Sequence, residues 1–134
     1  LELARDFEGA ESSARVALDM AASYPTRKAT SFGALAAALL GRGEPVAALV
    51  AAREGMALLA TLGALEEGEE KLRFVHAAAL EANGQTEEAA RELAIARERL
   101  RERAARIQDP AWRRSFLENV PENVALLGGS NGPG

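Results

Sequence analysis

The sequence predicts an all-α chain built as a stack of antiparallel helix pairs, and three observations carry that prediction. Alanine fills 30 of the 134 positions while aromatic residues make up 4%, a composition that favours helix and close approach of small side chains. Apolar residues recur at i, i+3, i+4 and i+7 in successive stretches, the spacing of an amphipathic helix. A corner phrase also recurs. It reads Gly84-Gln85-Thr86-Glu87-Glu88-Ala89 with Leu93 and Ala96 beyond, and Gly43-Glu44-Pro45-Val46-Ala47-Ala48 with Ala52 and Gly55 beyond. A worn third copy is Arg5-Asp6-Phe7-Glu8-Gly9-Ala10, followed by Ala14 and Ala17. The three anchor alanines lie 38 and 41 residues apart, and self-similarity at such a period is the mark of a stacked array.

The elements follow in order. Residues 1–4 read as the last turn of a helix, and Asp6 as the cap of the next, whose stripe is Phe7, Ala10, Ala14, Ala17 and Ala21. Tyr24-Pro25 stops that helix near Ser23, because the residue before a proline disfavours the α region. The next helix starts around Thr26 and carries Phe32, Leu35, Ala36, Leu39 and Leu40 to Gly41. Gly41-Arg42-Gly43 turns the chain, and Pro45 suits a first helical position. From Pro45 to Leu62 the only charges are Arg53 and Glu54, so this helix is expected to be buried on several sides. A helix over about Leu65–Asn83 opens with Glu66, Glu67, Glu69 and Glu70, carboxylates that offset the positive end of its dipole. Asn83-Gly84 ends it. Thr86 caps the longest helix, which runs to about Ile107 on the stripe Ala89, Leu93, Ala96, Leu100, Ala104 and Ile107. Its arginine-rich opposite face is expected to be solvated. Asp109-Pro110 starts a short helix with Trp112, Phe116 and Leu117 as its apolar side and Pro121 as its end. Leu126-Leu127 make a last packing contact, and Gly128 to Gly134 form a disordered tail.

Composition narrows the function. A formal charge of −4 and a pI near 5.1 argue against nucleic acid, which selects a basic surface. From Thr86 to Glu118 eight arginines face seven acids, so the arginine-rich helix is nearly neutral, with Glu87 and Arg91, and Glu102 and Arg106, at the favourable i, i+4 spacing. The chain has no cysteine, which removes disulfides, thiol catalysis and cysteine-bound metal. Charges or glycines interrupt every apolar run, so no membrane span is expected. The opening Leu1-Glu2-Leu3 reads as a piece of a longer protein. His76 is the one histidine and suits a partly buried structural role. No metal, cofactor, phosphate loop or nucleophile motif is apparent, and no enzyme is expected.

The helix pairs with their Gly-x-x-x-x-Ala corners resemble the tetratricopeptide repeat family. Gly43 and Gly84 match its turn glycine, Ala10, Ala48 and Ala89 its second-helix alanine, and Ala17, Gly55 and Ala96 its later small position. Ala36 and Ala77 match the small residue of the first helix, and Leu39 and Leu80 its bulky neighbour. The period exceeds the family's usual 34 residues, and aliphatic residues stand where aromatic ones are usual. The resemblance implies a right-handed superhelix of about two and a half units over residues 1–107, a capping helix over 108–127 and a tail over 128–134. The ending Asp109-Pro110-Ala111-Trp112-Arg113-Arg114-Ser115-Phe116-Leu117-Glu118-Asn119-Val120 is similar to the close of such arrays in large bacterial multidomain regulators, which implies a cytoplasmic interaction or scaffolding module. The family's inner groove would be lined by Thr30, Gly33, Ala37 and Leu40 on one helix and Lys71, Phe74, Ala78 and Glu81 on the next. Its occupant would be a protein or peptide partner, or upstream repeats of the parent protein. The alternative is a homodimer formed through the uncovered Phe7, Val16, Leu18 and Met20.

Overall fold

The computed structural model describes the backbone of residues 2–119 and the side chains of residues 6–115. Phe116, Leu117, Pro121, Leu126, Leu127 and the glycine-rich tail lie outside the described side chains. The described residues form six helices and no strand: α1 (Glu2–Met20), α2 (Pro25–Gly41), α3 (Pro45–Leu62), α4 (Glu69–Ala82), α5 (Thr86–Ala105) and α6 (Pro110–Asn119). The all-α prediction is met.

Contacts between helices set a two-layer order. α2 packs against α1, α3 and α4, and α4 against α2, α3 and α5, while α5 packs on α4 and α6 and meets α3 through the Arg53–Glu88 ion pair at 3.8 Å. α2 and α4 therefore form one layer, with α1, α3 and α5 on the other. They run parallel. Thr30 lies against Gly68, Leu72 against Gly33, and the Asn83 side-chain amide donates to the Pro45 carbonyl at 2.8 Å just past the end of α2. The main core joins Leu35, Ala36 and Leu39 of α2 to Ala48, Leu49 and Ala52 of α3 and to Val75, Ala79 and Leu80 of α4.

Two of the three corners are the same structure 41 residues apart. Gly43 and Gly84 have φ of 77° and 79°, the left-handed region that glycine enters without a Cβ penalty. Gly43 N–H donates to Leu40 O and Glu44 N–H to Leu39 O; Gly84 N–H donates to Glu81 O and Gln85 N–H to Leu80 O. That pair of bonds closes a helix by satisfying its orphan carbonyls. In both copies the anchor alanine begins the next helix's ladder, Ala48 N–H to Glu44 O and Ala89 N–H to Gln85 O. Ala48, Ala89 and Ala96 are buried, as is Gly55, where a Cβ would lie 2.8 Å from Leu72 and 3.2 Å from the Ala29 carbonyl.

Several expectations need correction. α1 is unbroken from Glu2 to Met20, so Asp6 caps nothing and Arg5–Ala10 is not a corner; Gly9 is helical, without the positive φ that a turn requires. Ala10 and Ala17 are exposed, and Ala14 is the residue α1 buries in the core. The reason is one-sided packing: α1 meets α2 alone. Phe7 is not uncovered, since its ring fills the space a Cβ on Gly41 would take, and Leu18 packs against the core. Val16 and Met20 do stand exposed.

α3 is not buried all round. Val46 and Val50 face solvent, because only α2 and α4 cover it. Pro45–Leu62 is also the one helix, among the described residues, long and apolar enough to cross a membrane by length and composition, contrary to the expectation of none; six of its residues are buried against the other helices. α4 begins at Glu69 rather than Leu65, because Gly68 at φ 89° cannot continue a helix. Thr86 is the first residue of α5, not its cap; Gln85 holds that place and makes no side-chain cap bond. Asp109 does cap α6, its Oδ1 accepting from Ala111 N–H at 2.8 Å and Trp112 N–H at 3.3 Å. Trp112 is 74% exposed, so its ring does not dock on the array.

Candidate functional site

Each of the three clefts described takes only some of the eight predicted groove residues. Gly33 is buried, and a Cβ there would sit 3.5 Å from Leu72; it is where α2 and α4 touch, not a lining residue. Ala37 and Leu40 are half-buried against the core. Lys71 is exposed. Thr30 donates to Arg27 O at 2.9 Å and lines two clefts. One, of about 330 Å³, includes Ala17, Met20 and Ser31. The other, of about 450 Å³, includes Arg27, Glu66 and Glu67.

Phe74, Ala78 and Glu81 converge elsewhere, in an apolar cavity of about 320 Å³ between α4 and α5 whose walls also include Ala77, Ala89, Ala90 and Leu93. Phe74 and Leu93, which line it, also pack against Ala96 and Leu100. Glu81 is the one charged residue lining it.

The acidic start of α4 is more than a complement to the helix dipole. Glu69 is fully buried and saturated. Its Oε2 accepts from Arg73 Nε at 2.9 Å and Arg99 Nε at 3.0 Å; its Oε1 accepts from Leu65 N–H at 3.1 Å and Arg99 Nη2 at 3.3 Å. Arg103 donates to the Leu65 and Glu66 carbonyls, both at 2.7 Å, and pairs with Glu70. Burial alone would raise the Glu69 carboxyl above its ordinary value, but the bonds from Arg99 and Arg73 prevail and hold it lower. A carboxylate so filled has no lone pair left for a metal, and no group of metal-ligating residues occurs among the described residues. This cluster straps the 64–68 loop to α4 and α5. The i, i+4 spacing of Glu69 and Arg73 was visible in the sequence; the arrival of Arg99 from 30 residues away was not. The arginine face of α5 is correspondingly not all solvated.

His76 is buried, as expected of a structural imidazole. It occupies the place of Leu35 one corner earlier, which is also buried. Its Nδ1 has no hydrogen-bond partner and lies 3.6 Å from Glu92 Oε1. Burial lowers its pKa below the ordinary value, against the pull of Glu92 and Glu88. Comparison with models of known families, with curated proteins and with solved structures finds no match.

Proposed function

We propose that this chain is a protein-interaction module of tetratricopeptide-like design, a right-handed helix-pair solenoid that scaffolds a bacterial regulatory protein in the cytoplasm and performs no catalysis of its own. The observation that carries the reading is the repeated corner. Two glycines of positive φ, each followed five residues later by a buried alanine, set successive helix pairs in the same relation. Such an arrangement leaves a surface whose shape, not its reactive groups, is what a partner meets. The side of the α2/α4 layer bearing Ala37, Leu40 and Lys71 is the face the reading assigns to recognition.

Selection from a displayed library of random peptides tests it. A sequence family should be enriched, and Lys71→Glu, at an exposed position, should change which peptides survive. No enrichment over the bare support would count against the interaction reading.

A second reading, self-association, draws on the exposure of Val16 and Met20 on α1 and of Tyr24 just before α2. Light scattering after size exclusion at tens of micromolar should then give twice the monomer mass, and Met20→Glu should restore the monomer. A monodisperse monomer would exclude this alternative.

A further inference from the structure

The cavity between α4 and α5 has a filled counterpart in the same molecule. Shifted back by 41 residues, its walls Phe74, Ala77, Ala89 and Ala90 become Gly33, Ala36, Ala48 and Leu49. Those four are buried, and what covers them is α4: Leu72 rests on Gly33, while Val75, Ala79 and Leu80 share one core cluster with Ala36, Ala48 and Leu49. At the second corner Ala77 and Ala89 are buried as well, but Phe74 is half-buried and Ala90 exposed, and among the described residues none of the cavity's walls belongs to α6. The first corner thus displays a kind of occupant that the described residues do not supply at the second.

We infer that the α4–α5 cavity is a docking seat for an amphipathic helix of a partner protein, lying parallel to α4. Three features fix its chemistry. The orientation follows from α4, which lies parallel to α2 on the equivalent seat. The stripe follows from Leu72, Val75 and Ala79, at i, i+3 and i+7, with one adjustment: Phe74 already covers the small residue Ala96, as Leu72 covers Gly55, so the partner needs a small residue at the first of these positions. Charge supplies the third. Glu81 stands where the earlier seat has Leu40, at the corner end of an otherwise apolar cavity. A parallel helix brings its own C-terminal turn there, where Lys or Arg is favoured. The partner helix should therefore end on a basic residue opposite Glu81.

This inference rests on the interaction reading but can fail separately from it. The probe is an acetylated, amidated 18-residue peptide with Ala, Val, Ala and Leu at the spacing of Leu72, Val75, Ala79 and Leu80 and two arginines in its last turn. It is titrated into the isotope-labelled full chain. Saturable shifts should appear at Ala78, Ala90 and Leu93, with a Kd of roughly 10–500 µM. Ala90→Arg, at an exposed helical position that tolerates the change, should weaken binding at least about tenfold. Glu81→Lys should do likewise, and a peptide with glutamates in place of the arginines should recover it. No saturable shift at about 1 mM, or shifts that map elsewhere, would overturn the seat. So would finding it already filled in the free chain, whether by a second copy (concentration-dependent shifts at Ala90) or by Leu126 and Leu127 (cross-relaxation to Leu93). A chain that ignores this peptide yet selects others through Lys71 keeps the interaction reading and loses the seat.

Discussion

Glu69 accepts four hydrogen bonds from a fully buried position. It is buried, ionised, and reached by Arg73 from its own helix and Arg99 from the next. Removing one partner of a buried, hydrogen-bonded charge set costs far more than the set contributes against an apolar substitute, because the remaining charges lose their counter-ion. The arginine side chains are 14–28% exposed, so water recovers part of that loss. Glu69→Gln should lower the unfolding free energy by about 3 kcal/mol in a denaturant titration, and a change under about 1 kcal/mol would show that the arginines are satisfied without it. Trp112 is the opposite case. A large ring attracts the expectation of a docked anchor, yet it is 74% exposed. Trp112→Ala should move stability by no more than about 0.5 kcal/mol; a loss of several kcal/mol would place the ring in a core.

At the scale of elements, the corners separate what the sequence displays from what it conceals. Gly43 and Gly84 were legible as turns because glycine, a helix stop and an alanine five residues on all agree locally, and both adopt positive φ. The worn third copy has Arg5 where the other two have glycine, and its Gly9, one residue before the anchor Ala10, is mid-helix. Whether a glycine bends the chain depends on what the next helix can pack against, and α1 has only α2. Alanine scanning of the glycines tests this contrast. Gly43→Ala and Gly84→Ala should each cost about 1–2 kcal/mol, the penalty of a Cβ in the left-handed region. Gly9→Ala should instead stabilise by roughly 0.5–1 kcal/mol, since a Cβ there meets nothing within 4 Å and helix interiors favour alanine. Destabilisation at Gly9 would show that α1 is not a regular helix at that position. The same distinction applies to the predicted groove residues. Helix spacing placed Phe74, Ala78 and Glu81 on one face correctly, but not the inward tuck of Gly33 under Leu72, which depends on how closely α2 and α4 approach. It likewise could not show that α5 returns its arginines to the loop before α4.

For the molecule as a whole, stability passes from neighbour to neighbour, and pH should enter it at the α4–α5 junction. α5 packs chiefly on α4, and His76 lies buried at that junction, faced by Glu92 and Glu88 of α5, Arg53 of α3 and Arg73 of its own helix. Its folded pKa lies below the 6.5 of the free side chain. Below pH 6.5 the unfolded chain therefore binds the proton more readily than the folded one, and stability rises with pH across that window. The contribution of His76 is complete above about pH 6.5 and declines as pH falls toward its folded value. Glu69, held below 4.5 by its arginines, adds a second loss on further acidification. The wild-type melting temperature should hence fall in two stages from pH 7 to pH 3. His76→Leu copies the residue already present at Leu35 and should abolish the first stage while keeping the second; Glu69→Gln should keep the first and shrink the second, to which Glu11, held low by Arg42 and Arg15, also contributes. Amide exchange adds a spatial check, because the first stage should loosen α5 before the α2–α3 core. A His76→Leu chain with an unaltered fall between pH 6.5 and 5 would move the sensitive group away from this junction.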